Sequence, residues 1–514
     1  MSETTLPPVI EHMLQPEFYP HPVQQPIKLM QTHASFVLLT GDYAYKVKKN
    51  VDFGFLDYST LEKRHHFCNE ELRMNRQIAP QVYLDVVAIA SLGDRYQLDG
   101  KGNIVEYAVK MVQFPQDALF INLFERGALT EQHMEDLGRV VANFHAETRT
   151  DETIRSYGTV SQIRKAIDEN YQQTECYIGG PQTETQFQET KAFSDRFFDR
   201  RPSLFQQRID GDRIRECHGD LHLKNIALWP DKIFLFDRIE FNKTFRFVDV
   251  MYDIGFAVMD IDSRGRPDLA NAFLNTYIEH TGDWSGLQVL PLYLSRQAYV
   301  RAKVTSFLLD DPNISDERKH NAQSTAANYY QQAWKYTQQQ QGRLILMSGL
   351  SGSGKSTLAR RLARRINAIH IRSDAVRKHL AGIPLHQRGG DEIYTAEMTQ
   401  KTYGKLLELG LMLAREGYPV ILDAKYDRQG LRAQAIAAAE KQGFNLKILH
   451  CCAPMPVLRE RLNQRSSQAV SDATANLLES QQAAAEPFTE AERVYVQTID
   501  STQSLESQLQ QVKG

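Results

Sequence analysis

Residues 349–357 have the composition and spacing of a phosphate-binding loop. They read GLSGSGKST and fit the pattern G-x-x-x-x-G-K-[ST]. Glycines let the backbone fold around phosphate oxygens, and the helix that follows directs its positive end at them. We expect Lys355 to contact the β- and γ-phosphates of ATP as a catalytic residue, and Ser356 to ligate Mg²⁺. The ATP-binding residues predicted here are Gly349, Ser351, Gly352, Ser353, Gly354, Lys355, Ser356 and Thr357.

Charged residues further along the chain can complete this site. Asp374 follows the apolar run AIHI, at the strand end where open α/β sheets bind their ligands. Its carboxylate can accept a proton from a substrate hydroxyl, cap the next helix, or do both. Arg377 is expected to bind substrate, and Asp423, at the end of YPVILDA, to hold Mg²⁺ through water. Arg461 and Arg465 either close over the phosphates or lie on a solvated helix face.

From residue 342 onward, apolar strand-like runs alternate with helical runs. This alternation predicts an α/β three-layer P-loop NTPase domain with a mainly parallel sheet. The motifs GLSGSGKST, SDAVR, ILDA and RERLNQR make the region similar to small P-loop kinases of the gluconate kinase, chloramphenicol phosphotransferase and zeta-toxin type. The resemblance implies ATP-dependent phosphorylation of a hydroxyl group on a small molecule.

A second set of catalytic residue types occurs at 218–225, which read HGDLHLKN. The spacing parallels the H-R-D-L-x-x-x-N catalytic loop of protein kinases. In that chemistry, Asp220 accepts the proton of the attacking hydroxyl and Asn225 ligates Mg²⁺. The strand-like run KIFLFD follows and ends in Asp237, which we expect to bind the metal that bridges the phosphates.

A lysine that contacts the α- and β-phosphates should lie upstream of this loop. Lys46 ends YAYK, which resembles the V-A-I-K strand of kinases, and Lys48 and Lys49 compete for the same role. Lys46 and Lys48 should point to one side of the strand, because side chains alternate with period two. Either Glu70 or Glu71, on the helix that follows, can pair with the lysine.

Residues 27–335 resemble the aminoglycoside phosphotransferase and choline kinase-like families. The matching motif positions are Lys46, Asp220, Asn225 and Asp237. The resemblance implies an α+β bilobal protein-kinase-like domain that binds ATP and Mg²⁺. The whole chain thereby resembles bifunctional aminoglycoside phosphotransferase/ATP-binding proteins.

Some residues depart from the family pattern or extend it. No glycine-rich G-x-G-x-x-G precedes Lys46, and Arg-Ile-Glu240 follows Asp237 in place of Phe-Gly. Glu240 can add a metal contact. Asp249 and Asp253 are expected to support the catalytic loop structurally. Asp260 and Asp262 either line an acidic acceptor pocket or are exposed loop carboxylates.

Motifs and composition together predict the organisation of the chain. The predicted segments are an irregular proline-rich arm (1–26), a kinase-like domain (27–337, with lobes 27–115 and 116–337), a glutamine-rich linker (338–341) and a P-loop domain (342–514).

Length, charge and composition narrow the class of protein. The 514 residues carry a net charge of −3, which argues against a protein that mainly coats nucleic acid or an anionic membrane. Five cysteines without metal-site spacing, no signal-peptide pattern and no long apolar run favour a cytoplasmic protein.

The sequence therefore predicts a phosphotransferase with two ATP sites, cofactors ATP and Mg²⁺, and small-molecule acceptors. Two alternatives remain open. One is a single active kinase regulated by an ATP-sensing domain, and the other is a toxin-like kinase that acts on a macromolecule.

Overall fold

The computed structural model describes residues 6–93, 95–312, 314–464 and 478–512. The strands are β1 Lys28–Gln31, β2 Ser35–Leu39, β3 Tyr43–Lys48, β4 Tyr83–Leu92, β5 Arg95–Leu98, β6 Asn103–Val112, β7 Ile214–Glu216, β8 Ile226–Leu228, β9 Ile233–Leu235, β10 Phe247–Asp249, β11 Arg343–Ser348, β12 Ile369–Arg372, β13 Pro419–Asp423, β14 Asn445–Cys452 and β15 Val496–Asp500.

The helices are α1 Pro8–Met13, α2 Leu61–Arg76, α3 Phe120–Glu125, α4 Glu131–Glu147, α5 Glu152–Ser156, α6 Val160–Gln172, α7 Glu184–Arg200, α8 Pro202–Asp210, α9 Lys243–Arg246, α10 Val250–Ser263, α11 Pro267–Thr281, α12 Leu290–Ser306, α13 Asp316–Lys335, α14 Lys355–Ile366, α15 Ser373–Leu380, α16 Ala396–Arg415, α17 Gln429–Lys441, α18 Met455–Asn463, α19 Leu478–Ala484 and α20 Leu505–Gln511. Among the described residues, none of these helices has the length and apolar character needed to cross a membrane.

The described residues form two compact units. Unit 1 comprises Met1–Leu129, Asn143–Glu169 and Phe198–Asp260, and unit 2 comprises Thr130–Ala142, Asn170–Phe197 and Ile261–Gly514.

Unit 1 is built on an antiparallel sheet with strand order β1-β2-β3-β6-β4-β5. Residues 35–48 form a hairpin, in which β2 and β3 pair antiparallel with Phe36 opposite Val47. Helix α2 packs against β4 and β6. Its N-cap is Thr60, whose side chain accepts a hydrogen bond from the Lys63 amide. The sheet and helix together place Lys46 and Lys48 of β3 opposite Glu71 of α2.

The proline-rich N-terminus is more ordered than its composition suggested. The prediction of an irregular arm is wrong for Pro8–Met13, which form α1. Proline at the first helical turn is compatible with a helix, because its missing N–H would have had no partner there. Ile10, Met13, Phe18 and Tyr19 are buried in the hydrophobic core that covers one face of the sheet.

Unit 2 contains the predicted parallel sheet, with strand order β12-β13-β11-β14-β15 and every adjacent pair parallel. Gly417 and Gly443 end helical runs with positive φ, as helix C-caps do. Helix α14 packs on β11, β12 and β13 with a buried apolar face. The nucleotide site predicted from the sequence lies at the carboxyl ends of these parallel strands.

The predicted boundary at 338–341 differs from the boundary of the compact units. Unit 2 joins three stretches of the predicted kinase-like domain to the P-loop region. Gln338–Gln341 are exposed, but Gly342 is buried so tightly that a Cβ there would lie 1.9 Å from the Ala414 carbonyl oxygen. Helix α11 also packs against α14 and β12. The glutamine tract is therefore a short exposed segment inside unit 2, and it does not separate two units.

Candidate functional site

Two lysines of β3 meet three carboxylates in unit 1, and two of these carboxylates, Glu71 and Glu240, are buried. Lys46 Nζ donates to Glu71 Oε1 at 2.8 Å and to Asp237 Oδ1 at 2.5 Å. Lys48 Nζ donates to Glu71 Oε2 at 2.7 Å and also pairs with Glu240. The single carboxylate of Glu71 thus bridges both lysines, which lie on one side of the strand as its period requires.

This arrangement distinguishes the candidate residues that the sequence left equivalent. Glu71 is fully buried and faces the lysines, whereas Glu70 forms a bidentate pair with Arg73. Lys49 donates to the carbonyl of Thr32, away from the cluster. Glu240 is held by Lys48 and by the Tyr58 hydroxyl, which makes it a partner of the buried lysine, and its predicted metal contact has no support in this geometry.

The electrostatics of the cluster hold Lys46, Glu71 and Asp237 in their charged forms. Burial disfavours the ammonium of Lys46, but the charges of Asp237 and Glu71 raise its pKa well above the ordinary value. Burial likewise opposes ionisation of Glu71, yet Lys46 and Lys48 hold its pKa below the ordinary value. Desolvation also opposes ionisation of Asp237, and Lys46 again lowers its pKa. Asp237 is consequently an anion beside the lysine, which suits a metal ligand.

The predicted catalytic loop brings Asp220 and Asn225 together. Asn225 Nδ2 donates to the Asp220 backbone carbonyl and to Oδ2, both at 3.0 Å. Gly219 precedes Asp220 with φ +85°, and a Cβ there would lie 2.8 Å from the Phe245 carbonyl oxygen. His218 Nε2 contacts the Phe236 carbonyl at 2.9 Å, which ties the loop to the segment that carries Asp237. Asp220, Asn225 and Asp237 offer the hard oxygen donors that Mg²⁺ prefers.

One buried carboxylate, that of Asp253, supports the loop that carries Asp220. Asp253 accepts hydrogen bonds from the amides of His218 (3.1 Å) and Gly219 (2.7 Å). His145 Nε2 also contacts Asp253, at 3.0 Å. Asp249 instead pairs with Arg208 through two hydrogen bonds of 2.8 and 2.6 Å. The sequence analysis did not predict a role for His145. Its position on the amphipathic helix α4 was the signal that could have indicated burial.

Asp260 and Asp262 are neither an acidic pocket nor exposed loop carboxylates. Asp260 is buried in α10 and accepts a hydrogen bond from the Leu223 amide at 3.1 Å. Asp262 accepts a hydrogen bond from the Tyr336 hydroxyl at 2.5 Å. Both predictions fail because α10 continues through these residues to Ser263.

In unit 2, β11 leads through residues 349–354 into α14. Gly349, Gly352 and Gly354 have φ of +131°, +79° and +81°, a region that glycine adopts readily. A Cβ on Gly349 would lie 2.3 Å from the Cys451 carbonyl oxygen. The hydroxyl of Ser353 is buried and has no hydrogen-bond partner in the described part of the chain. A phosphate oxygen would satisfy it, so the loop fits the polyphosphate of a nucleotide.

The cation and the candidate metal ligands of this site lie together at the start of α14. Lys355 Nζ donates to the Leu350 carbonyl at 2.8 Å, and desolvation lowers its pKa although Asp423 opposes the shift. Burial raises the pKa of Asp423, but hydrogen bonds from His370 and Ser356 and the charge of Lys355 bring it below the ordinary value. The Ser356 hydroxyl and the Asp423 carboxylate form an oxygen donor set that fits Mg²⁺.

Asp374 lies in the first turn of α15, directly after β12. The N-cap of this helix is Arg372, so the capping interpretation of Asp374 is wrong. Asp374 is close enough to Lys355 to interact with it electrostatically. Arg377 is buried, and its guanidinium donates to the Ile393 carbonyl at 2.9 Å and to Thr399. These contacts are internal to the domain and give no support to its predicted substrate contact.

The sequence predicts that Arg461 and Arg465 either close over the phosphates or lie on a solvated helix face, and the structure describes one of them. Arg461 lies against the P-loop, with Nη1 donating to the Gly352 carbonyl at 3.4 Å and Nη2 to the Ser501 carbonyl at 2.7 Å. Its guanidinium is therefore next to the phosphate-binding backbone and is not on a solvated helix face. Arg465 lies outside the described residues.

Residues 344–488 match the family model of an AAA domain. The matched range begins in β11, contains the P-loop, and extends past α18. The loop geometry and the parallel sheet of this region are consistent with a P-loop NTPase domain.

The whole chain also has relatives. Uncharacterized proteins of Mycobacterium bovis and Mycobacterium tuberculosis are each 28% identical to it over 463 residues, which cover 89% of this chain and 90% of theirs. A gluconokinase structure from Sinorhizobium meliloti overlaps 34% of this chain and 90% of its own, with 22% identity and a TM-score of 0.26. The Mycobacterium tuberculosis APS kinase CysC in complex with AMPPNP and APS overlaps 33% and 95%, with 20% identity and a TM-score of 0.26.

Proposed function

We propose that this protein is an ATP-dependent phosphotransferase with two nucleotide sites, one in each unit, that act on hydroxyl groups of small molecules. The observation that carries the proposal is the P-loop of unit 2. There, the Ser353 hydroxyl is buried without a hydrogen-bond partner among the described residues, and Lys355 and Ser356 lie beside Asp423. A nucleotide polyphosphate with its Mg²⁺ would satisfy these groups. The AAA domain match over the same residues supports nucleotide binding.

In this site, backbone amides of the loop and Lys355 would hold the β- and γ-phosphates. Ser356 and Asp423 would hold Mg²⁺, which neutralises charge on the phosphates when it is bound. Asp374 would accept the proton of an acceptor hydroxyl. In the same step, the hydroxyl oxygen would form a bond to the γ-phosphorus, and the bond between that phosphorus and the ADP oxygen would break. Arg461, beside the loop, would offset the negative charge that develops on the transferred group.

Unit 1 would perform the same type of reaction with different residues. Lys46, fixed by Glu71, would contact the α- and β-phosphates, and Asn225 and Asp237 would hold Mg²⁺. Asp220 would accept the proton from the acceptor hydroxyl. The support is geometric, because the lysine–glutamate pair, the Asp220–Asn225 loop and Asp237 all lie within one unit. Lys46 is hydrogen-bonded to Glu71 and Asp237, and Asn225 is hydrogen-bonded to Asp220. A bilobal kinase-like fold for residues 27–337 is part of this proposal.

The test assigns one activity to each site. Full-length wild type, Lys355→Ala and Asp220→Ala are assayed for ATP consumption with a panel of polyols, sugars, amino alcohols and nucleosides. We expect each variant to lose a different activity by at least about a hundredfold and to keep the other, because general-base and electrostatic contributions are each of that order. Arg361→Ala, a change on the outer part of α14, is the matched control.

Two results would refute the proposal. If Lys355→Ala leaves every phosphorylation intact, unit 2 is not an enzyme, and an ATP-sensing role replaces it. If γ-labelled phosphate added to a cell lysate is transferred to protein or RNA and not to small molecules, the acceptor class is wrong. Transfer only to small molecules in the same lysate supports it.

A further inference from the structure

The edge strand of the parallel sheet carries an unexpected polar residue. Parallel strands are buried on both faces and are usually apolar, and Ile369 and Ile371 of β12 follow that rule. His370 lies between them and is 7% exposed. Its Nε2 lies 3.0 Å from Asp423 Oδ2 on the adjacent strand. A histidine in this position needs a partner, and its partner is the carboxylate that we place on Mg²⁺.

The backbone of His370 is held by a helix that precedes the P-loop region in sequence. β12 is an edge strand, so one side of it has no neighbouring strand. The His370 amide donates instead to Asn275 Oδ1 of α11 at 2.7 Å. Asn275 and Asn271 each donate to the Ala368 carbonyl at 3.0 Å. Two asparagine side chains thus replace the hydrogen bonds that a further strand would make.

An ion pair joins the same helix to the end of β12. Glu279 of α11 accepts a hydrogen bond from Arg372 Nε at 2.7 Å, and Arg372 is the last residue of β12. Separately, Arg364 of α14 pairs with Glu131 and Glu135 of α4 within the same unit. The hydrogen bonds between α11 and β12 are therefore reinforced by an ion pair at the end of the strand.

We propose that His370 is a positioning residue for Asp423, and that α11, through Asn275, sets the position of His370 and so forms part of the P-loop centre. The sequence of contacts is direct: Asn275 fixes the His370 backbone, His370 donates to Asp423, and Asp423 lies beside Ser356. The inference rests on the proposed function, since it needs Asp423 and Ser356 to bind Mg²⁺. Residues that orient a metal ligand typically change metal affinity by tenfold or more when they are replaced.

The test uses hydrogen–deuterium exchange of the full-length chain, read at peptides that cover residues 349–356, with ATP titrated in the absence and presence of Mg²⁺. This readout reports on the P-loop alone, whatever binds in unit 1. For His370→Leu, we expect the gain in apparent ATP affinity on adding Mg²⁺ to fall about tenfold, with Mg²⁺-free protection within about twofold of wild type. His370→Gln, which keeps a donor that can reach Asp423, should retain most of the gain.

Two variants on α11 test the inference without any change at residue 370 itself. Asn275→Ala removes the acceptor for the His370 amide and should reduce the Mg²⁺ gain, whereas Thr276→Ala removes a hydrogen bond within α11, to the Ala272 carbonyl, and should leave it unchanged. The inference is overturned if His370→Leu and Asn275→Ala keep the full Mg²⁺ gain, or if Mg²⁺-free protection falls equally. Absence of ATP protection in the wild-type loop would instead refute the proposed function of unit 2.

Discussion

Replacing Lys48 with methionine separates the roles of the two β3 lysines. The Lys48 side chain is 1% exposed and pairs with Glu71 and Glu240. In Lys48→Met, Glu71 keeps its contact with Lys46, whereas Glu240 keeps the Tyr58 hydroxyl and loses its cation. Breaking a buried ion pair by removing one partner typically costs about 3–5 kcal/mol, and we expect a loss in this range.

The loss can be measured by urea denaturation of unit 1. The chain has three tryptophans, and Trp229 is the one in unit 1. In a background with Trp284→Phe and Trp334→Phe, fluorescence therefore follows unfolding around Trp229. Adding Glu240→Gln to Lys48→Met removes both charges, so we expect the double variant to recover at least about 2 kcal/mol of the loss, because a pair removed together leaves no unpaired buried charge.

The same variants distinguish a structural lysine from a nucleotide-binding lysine. Folded Lys48→Met should bind ATP in unit 1 within about threefold of wild type, whereas Lys46→Met should lose most of that binding. A destabilisation below about 1 kcal/mol for Lys48→Met would refute the buried-pair argument. Loss of ATP binding in Lys48→Met equal to that in Lys46→Met would refute the assignment of Lys46.

Three further outcomes follow from the geometry of the two sites. Gly219→Ala should lower the free energy of unfolding of unit 1 by about 1–3 kcal/mol in urea titrations, because φ is +85° and the Phe245 carbonyl obstructs a Cβ. Burial opposes ionisation of Glu71, yet the β3 lysines lower its pKa from the ordinary 4.5. Its stabilising effect is therefore complete above about pH 4.5 and lost as the pH falls through the lowered value, and Glu71→Gln should flatten this acid dependence in thermal melts. Desolvation lowers the pKa of Lys355, so ATP affinity at the P-loop should weaken as the pH rises through that lowered value, with proton uptake on binding measurable by calorimetry in two buffers.

Local motifs predicted much of the fold and of both candidate sites. The P-loop pattern located α14 at Lys355, and the strand-like run SFVLLTGDYAYKVKK, with Thr40-Gly41-Asp42 as its turn, indicates the β2–β3 hairpin. Such features depend on neighbouring residues, so one sequence is enough to find them. The bridging role of Glu71 followed only from the structure, because Glu70 and Glu71 are adjacent on a helix whose rotation is fixed by packing.

Long-range contacts account for what the sequence did not predict. Asn275 and His370 are separated by 95 positions, and no local pattern links an asparagine in a helix to a histidine in a strand. The sequence predicted that Arg377 binds substrate, but Arg377 is buried and its guanidinium donates to the Ile393 carbonyl. The linker prediction relied on composition, whereas Gly342 is fixed by its close approach to Ala414.

The central claim is that one chain binds two molecules of ATP. Calorimetric titration of the full-length protein with ATP and Mg²⁺ measures this stoichiometry directly. We predict two ATP molecules per chain for wild type and one for Lys355→Ala, because that substitution removes the ammonium group from the P-loop and leaves the Lys46–Glu71–Asp237 site unchanged. One ATP molecule per wild-type chain, or two that persist in Lys355→Ala, would contradict the claim.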